Sequence, residues 1–229
     1  MEESSNRRPI KARGSGWARR LAAALAHAGA APDLISAASV AISLLGGALM
    51  LGAGATSGQP LVRAVFFIAA AVCIQLRLLC NLLDGMVAVE HGRGSPAGPI
   101  WNELPDRVSD VTLLVAAGYA AGAGGVRFAA DAGWLCAVLA LMTAYVRELG
   151  RDLGLPADYA GPMAKQQRMA VLTAACVVGA LEPLWGWRGV SLMIGLLIVA
   201  AGAAITTARR TRTIARRLAD RAGAPGESS

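Results

Sequence analysis

Between positions 81 and 110 the chain sets acidic and amide side chains at helical spacing. At about 100° per residue, Asn81, Asp84, Gly85 and Ala88 share one helix face. After a Gly/Pro-rich turn, Glu103, Asp106 and Asp110 follow at i, i+3, i+7, again one face. Clustered carboxylates repel one another unless a cation neutralises them, and a set of oxygen donors suits Mg²⁺ or Mn²⁺. Such an ion offsets charge on phosphate oxygens and so serves phosphoryl chemistry. The small residues Gly85 and Ala88 leave room for a ligand to approach. The competing reading is structural: the acids pair with Arg77, Arg107 and Arg147 as buried ion pairs. Intramembrane acids mark function by default, which favours the metal.

The elements that must position these residues are membrane helices. Of the 229 residues 55% are hydrophobic and 16% charged, with mean hydropathy +0.49. A soluble domain carries roughly a quarter charged residues. Apolar segments fall at 34–54, 61–83, 105–126, 134–146, 169–181 and 189–207. The longer ones match a hydrocarbon core of about 30 Å at about 1.5 Å per helical residue. The predicted fold is therefore all-α: six transmembrane helices preceded by an amphipathic interfacial helix. This excludes a soluble enzyme, a disordered tail and a disulfide scaffold. Cys73, Cys80, Cys136 and Cys176 lie in apolar stretches without a CxxC pair and read as buried packing thiols. Two histidines, His27 and His91, are too few for a histidine-rich metal centre.

Nineteen of the 22 Lys and Arg residues fall on one side if both termini are cytoplasmic; only Arg63, Arg127 and Arg188 fall outside. The positive-inside rule selects that orientation. The net charge of +7 is then explained by topology and anionic lipid, so no nucleic-acid partner is needed. Residues 1–14 read as a disordered arm and 15–30 as the interfacial helix, with Trp17, Leu21, Ala24, Leu25 and Ala28 on its apolar face. Residues 31–208 form the membrane domain and 209–229 a basic cytoplasmic tail. Pro32-Asp33 reads as a helix start. Arg19 and Arg20 before alanines resemble a signal peptide, but the apolar stretch is weak and a full span follows at once. Gly118 and Gly122 offer a helix-packing GxxxG.

The two-helix stretch resembles the signature of the CDP-alcohol phosphatidyltransferase family, DxxDGxxAR followed by GxxxDxxxD. Three positions differ: Asn81 replaces the first aspartate, Val89 the arginine and Asn102 the second glycine. The gap between the half-motifs is also longer, with Gly98 at the usual distance from position 89. Together these changes resemble a bacterial branch with the pattern NxxDGMxAxE…NExxDxxSD. Glu90 and Glu103 are candidates to restore the missing charge.

The resemblance implies transfer of a phosphatidyl group from a CDP-linked lipid such as CDP-diacylglycerol to a small alcohol or polyol, with release of CMP. It implies that Asn81, Asp84, Asp106 and Asp110 hold one or two Mg²⁺ or Mn²⁺ ions, and that Asp110 deprotonates the acceptor. Asp84, Gly85 and Ala88 are the implied nucleotide contacts. Arg147, Lys165 and Arg168 are candidates for an acceptor phosphate or, equally, for positive-inside anchoring; Arg77 is expected to pair with an acid. A homodimer in the lipid bilayer of a bacterial inner membrane is expected, multi-pass with both termini cytoplasmic. The alternative class is a non-catalytic or cation-transporting membrane protein. A transporter would place acids near the bilayer midplane, whereas these gather at one boundary.

Overall fold

The computed structural model describes residues 15–56, 58–90, 92 and 96–223. The arm at 1–14, His91, Arg93 and the last residues of the tail lie outside them. Seven α-helices follow in order: α1 Gly16–His27, α2 Pro32–Ala55, α3 Pro60–Glu90, α4 Gly98–Ala123, α5 Ala129–Asp152, α6 Lys165–Leu181 and α7 Val190–Gly223. No strand occurs among the described residues. Five helices, α2, α3, α5, α6 and α7, are long and apolar enough to cross a membrane. The remaining long helix, α4, carries Glu103, Asp106, Arg107 and Asp110 in its first half. It nevertheless traverses the bundle, since its far end at Ala120 and Ala123 packs on Gly54 at the end of α2.

The six long helices close a ring in the spatial order α2, α3, α6, α7, α5, α4, with α4 also touching α7. Leu113, Leu114, Ala117, Met169, Leu172, Leu192 and Leu196 fill its interior and are buried. Large apolar side chains such as Leu44, Leu61, Val65, Leu135, Ile194 and Leu197 point outward, as a lipid-facing surface requires. Gly118 of α4 crosses Gly133 of α5 at backbone contact; a Cβ on Gly118 would lie 2.6 Å from the Ala129 carbonyl oxygen. The small residue thus serves packing within the chain. Gly122, the other half of the expected motif, faces open space.

Helix α1 ends in a Schellman turn. Gly29 takes a φ of +81°, and the Ala30 and Gly29 amides donate to the Leu25 and Ala26 carbonyls. Ala18, Ala22 and Ala26 of α1 pack on Leu82, Leu83, Met86 and Val87 at the end of α3. The expected apolar face divides accordingly. Trp17, Leu21, Ala24 and Ala28 remain exposed, available to the bilayer, while an alanine face one residue away braces the helix that carries Asp84.

Helices α3 and α4 are adjacent in sequence but barely touch, because α2 packs along both. The two half-motifs therefore face each other across a gap. Helix α4 also begins earlier than the sequence suggests, at Gly98. Pro105 consequently lies inside it, beyond the first turn, and offers no N–H to the Trp101 carbonyl.

Candidate active site

Alternation of helix direction brings the starts of α2, α4 and α6 to the same end of the bundle as the ends of α3, α5 and α7. A cavity of about 400 Å³ opens there, of a size suited to a small-molecule ligand. Asn81, Asp84, Gly85, Ala88, Glu103, Asp106, Arg147, Lys165 and Arg168 all line it. Of the candidate site residues, Asp110 and Glu90 do not line it: Asp110 is buried behind the wall, and Glu90 is exposed at the end of α3.

Each acid has a defined set of donors. Asp84 accepts from the Ser36 hydroxyl and from the Gly85 amide, both at 2.5 Å. Asp106 accepts from Asn81 Nδ2 at 2.5 Å and from Lys165 Nζ at 2.5 Å, and Arg77 Nη2 stands 3.5 Å from its Oδ1. Asp110 is held on both oxygens, by Arg77 Nη2 at 2.7 Å and Arg168 Nη2 at 2.6 Å. Arg77 also donates to the Asp106 carbonyl at 3.1 Å. The ion-pair reading of this cluster thus describes Asp106 and Asp110, with Arg77 as expected. Asp84 forms no ion pair among the described residues.

The basic side of the cavity comes from α5, α6 and α7. Arg168 also donates to the Thr143 hydroxyl and the Met163 carbonyl, both at 3.1 Å. Arg147 bridges Glu103 at 2.6 Å and Glu148 at 2.7 Å and lies over the Tyr159 ring. Glu103 also pairs with Arg107. Arg168 is the most buried of the three candidate cations: its side chain is 2% exposed against 15% for Arg147 and 22% for Lys165. Arg210 of α7 donates to the Thr143 carbonyl at 2.6 Å and the Ala160 carbonyl at 3.1 Å, closing the back of the site. Six basic side chains (Arg107, Arg147, Arg151, Lys165, Arg168, Arg210) line the cavity against four acidic ones (Asp33, Asp84, Glu103, Asp106). The surplus favours an anionic ligand.

Ser36, Thr143, Tyr159 and Arg210 escape sequence reasoning. Ser36 sits one turn after Pro32-Asp33 at the start of α2, 48 positions from the Asp84 it meets.

Among the described residues, no three carboxylate, imidazole or thiol side chains converge as a metal cage. Of the four carboxylates at the cavity wall, Glu103 is paired with Arg107 and Arg147, while Asp84 and Asp106 lie with the amide of Asn81, whose nitrogen turns to Asp106 and leaves its oxygen as a donor. Hard oxygen donors, few in number, suit an ion that keeps water or substrate oxygens for its other positions, as Mg²⁺ does. The residues fit a divalent ion on that side.

No protein-family model matches the chain. The chain is 29% identical over 204 residues to the phosphatidylinositol phosphate synthase of Streptomyces avermitilis, covering 87% of this chain and 78% of that protein. It is 27% identical over 155 residues to inner membrane protein YnbA of Escherichia coli, covering 66% and 69%. Among solved structures it is similar to the phosphatidylinositol phosphate synthase PgsA1 of Mycobacterium tuberculosis. The form with CDP-DAG bound aligns with TM-score 0.72 at 21% identity, over 87% of this chain and 94% of that one. The form with manganese and citrate aligns with TM-score 0.70 at 20% identity, over 86% and 88%.

Proposed function

We propose that the chain is a member of the CDP-alcohol phosphatidyltransferase family, a multi-pass membrane enzyme moving a phosphatidyl group from a CDP-linked lipid to an alcohol, with release of CMP. The observation that carries this reading is the cavity at one end of the bundle. Three acids and an amide from α3 and α4 face five basic side chains of α5, α6 and α7 across it. That arrangement suits a ligand rich in phosphate. The bound CDP-DAG and manganese of the two PgsA1 structures support the same donor class and a divalent ion here. We count α4 as a sixth span and assign the cavity end to the cytoplasm by its basic residues. A nucleotide head would then enter from water while the lipid tails stay in the bilayer.

Asn81, Asp84 and Asp106 would hold the divalent ion, Mg²⁺ or Mn²⁺, which supplies charge neutralisation on the donor pyrophosphate. Ser36 and the Gly85 amide orient the Asp84 carboxylate. Asp84 is at the cavity wall and carries no ion pair among the described residues, so we assign it as the principal carboxylate ligand of that ion. Asp110, the base expected from the motif, has both oxygens taken by guanidinium donors away from the cavity. Its role in this reading is to hold Arg77 and Arg168 in place. Lys165, Arg168 and Arg147 orient an anionic group of the acceptor or donor. The test is CMP release from CDP-diacylglycerol by purified protein: it should require Mg²⁺ or Mn²⁺ and be lost in Asp84→Asn. Release unaffected by exhaustive chelation would remove the metal, and full turnover by Asp84→Asn would remove Asp84 as its ligand.

A further inference from the structure

We propose that the part of α7 beyond the bilayer is a clamp that holds the α5–α6 connection over the cavity, and that Arg210 and Arg221 are positioning residues for the alcohol acceptor. This rests on the transferase reading above and names the element that sets its acceptor side.

Helix α7 runs from Val190 to Gly223, 34 residues, or about 51 Å at about 1.5 Å per residue. A hydrocarbon core of about 30 Å takes about 20 of them. Residues 209–223, expected from the sequence as part of a tail, instead continue the helix past the cavity. At about 100° per residue, Gly202, Thr206, Arg210, Ile214 and Arg221 share one face. Each of them meets the connection 153–164 or the last turns of α5. The Met163 amide donates to the Thr206 hydroxyl at 3.0 Å. The Met163 side chain lies on Gly202, where a Cβ would stand 2.7 Å from its Cε. Arg210 links the Ala160 carbonyl of the connection to the Thr143 carbonyl of α5. Ile214 packs on Gly150, and Arg221 donates to the Leu153 and Gly154 carbonyls at 3.4 and 2.9 Å, as a basic residue does at a helix C-terminus. Gly161, at φ +139°, sits so close to Thr206 that a side chain would meet its Cγ2 at 2.4 Å.

The connection itself contains no helix or strand, and irregular loops of about a dozen residues or more are uncommon and commonly functional. This one carries Tyr159, whose ring the Arg147 guanidinium overlies at 5.5 Å, and leads directly into Lys165. Its Met163 carbonyl accepts from Arg168 at 3.1 Å. Arg147, Tyr159, Lys165 and Arg168 line the cavity, across from the Asn81–Asp84–Asp106 side assigned to the donor pyrophosphate and its ion. The grip of α7 on the connection therefore fixes where the acceptor wall stands. Arg210 lines the cavity as well, but Arg221 does not. An effect of Arg221 on the acceptor has to pass through the connection it holds.

The experiment is hydrogen–deuterium exchange on the purified full-length chain in detergent, paired with transfer kinetics using glycerol, glycerol 3-phosphate, inositol and inositol phosphate as alcohols. In Arg210→Gln and Arg221→Ala, the amides of 153–164 should exchange at least about fivefold faster, with those of α2 and α3 unchanged. KM for the alcohol should rise about tenfold in Arg210→Gln and about threefold in Arg221→Ala, with KM for CDP-diacylglycerol within about twofold. Arg221→Lys, which keeps a donor, should recover part of both effects. Arg212→Gln, on the exposed opposite face, should show neither. Unchanged exchange of 153–164 in both variants would overturn the clamp. Faster exchange with an unaltered alcohol KM, or with an equal rise in the donor KM, would overturn the positioning role. Wild-type protein that transfers to none of the alcohols would sink the transferase reading, while the exchange result still decides whether α7 clamps the connection. If Arg210→Gln does not fold, Arg221→Ala, at the exposed tip of α7, decides alone.

Discussion

Asn81 and Asp106 meet at 2.5 Å across the gap between α3 and α4, amide nitrogen to carboxylate oxygen. With an aspartate at 81, two carboxylates would face each other at that distance. Asn81→Asp should therefore lose about 1–3 kcal/mol of stability without metal, the scale of a lost bond to a charged group. Added Mn²⁺ should restore it. Thermal unfolding in detergent with and without Mn²⁺ checks this; a melting temperature indifferent to metal would contradict it.

The Arg77–Asp110–Arg168 chain is buried from end to end. Asp110→Asn leaves two guanidiniums facing a neutral amide and should cost about 3–5 kcal/mol, the range for breaking a buried ion pair. Because Asp110 lies off the cavity wall, Mn²⁺ affinity in the folded fraction should stay within about twofold, a change worth less than about 0.5 kcal/mol. Loss of Mn²⁺ binding from folded Asp110→Asn protein would place Asp110 among the ligands after all.

Lys165 competes with a metal for Asp106, since its Nζ occupies one of the carboxylate oxygens. The side chain is part-exposed, and such pairs contribute up to about 1 kcal/mol. Lys165→Met should bind Mn²⁺ about fivefold more tightly while turning over more slowly with a phosphorylated acceptor. Isothermal titration and turnover at saturating metal test the two halves; weaker Mn²⁺ binding by the variant would contradict the first.

At the opposite end, buried Glu182 accepts from Arg63 Nη2 at 2.5 Å and from the Gly189 and Ser191 amides at 2.7 and 2.6 Å. One carboxylate thereby ties α3, the end of α6 and the start of α7. Arg63→Met strands it and should destabilise by about 3–5 kcal/mol, leaving Mn²⁺ affinity unchanged. Unfolding and Mn²⁺ titration on the same preparation check this.

Much of the site was legible because helical spacing converts directly into a shared face. That Asn81 and Asp84 share a face on one helix, and Asp106 lies on the matching face of the next, needed only the 100° rule. Partners distant in sequence were not legible. Ser36 reaches Asp84 across 48 positions, and nothing local to a serine in an apolar helix announces that contact. Glu182 and Arg63 are 119 positions apart, and only the fold brings them together. The role expected of Asp110 also depended on context: spacing gives its helix face, but the two arginines that hold it come from α3 and α6. The separation of α3 from α4 by α2 is a ring-order property, which no single helix encodes.

The transferase activity is measured as CMP release from CDP-diacylglycerol by the purified, folded chain with Mg²⁺ or Mn²⁺ and a panel of alcohols, phosphorylated and not. A transferase gives metal-dependent release that requires an alcohol, with the product lipid carrying that alcohol. Absence of release with every alcohol, from protein shown to be folded and loaded with metal, would contradict it.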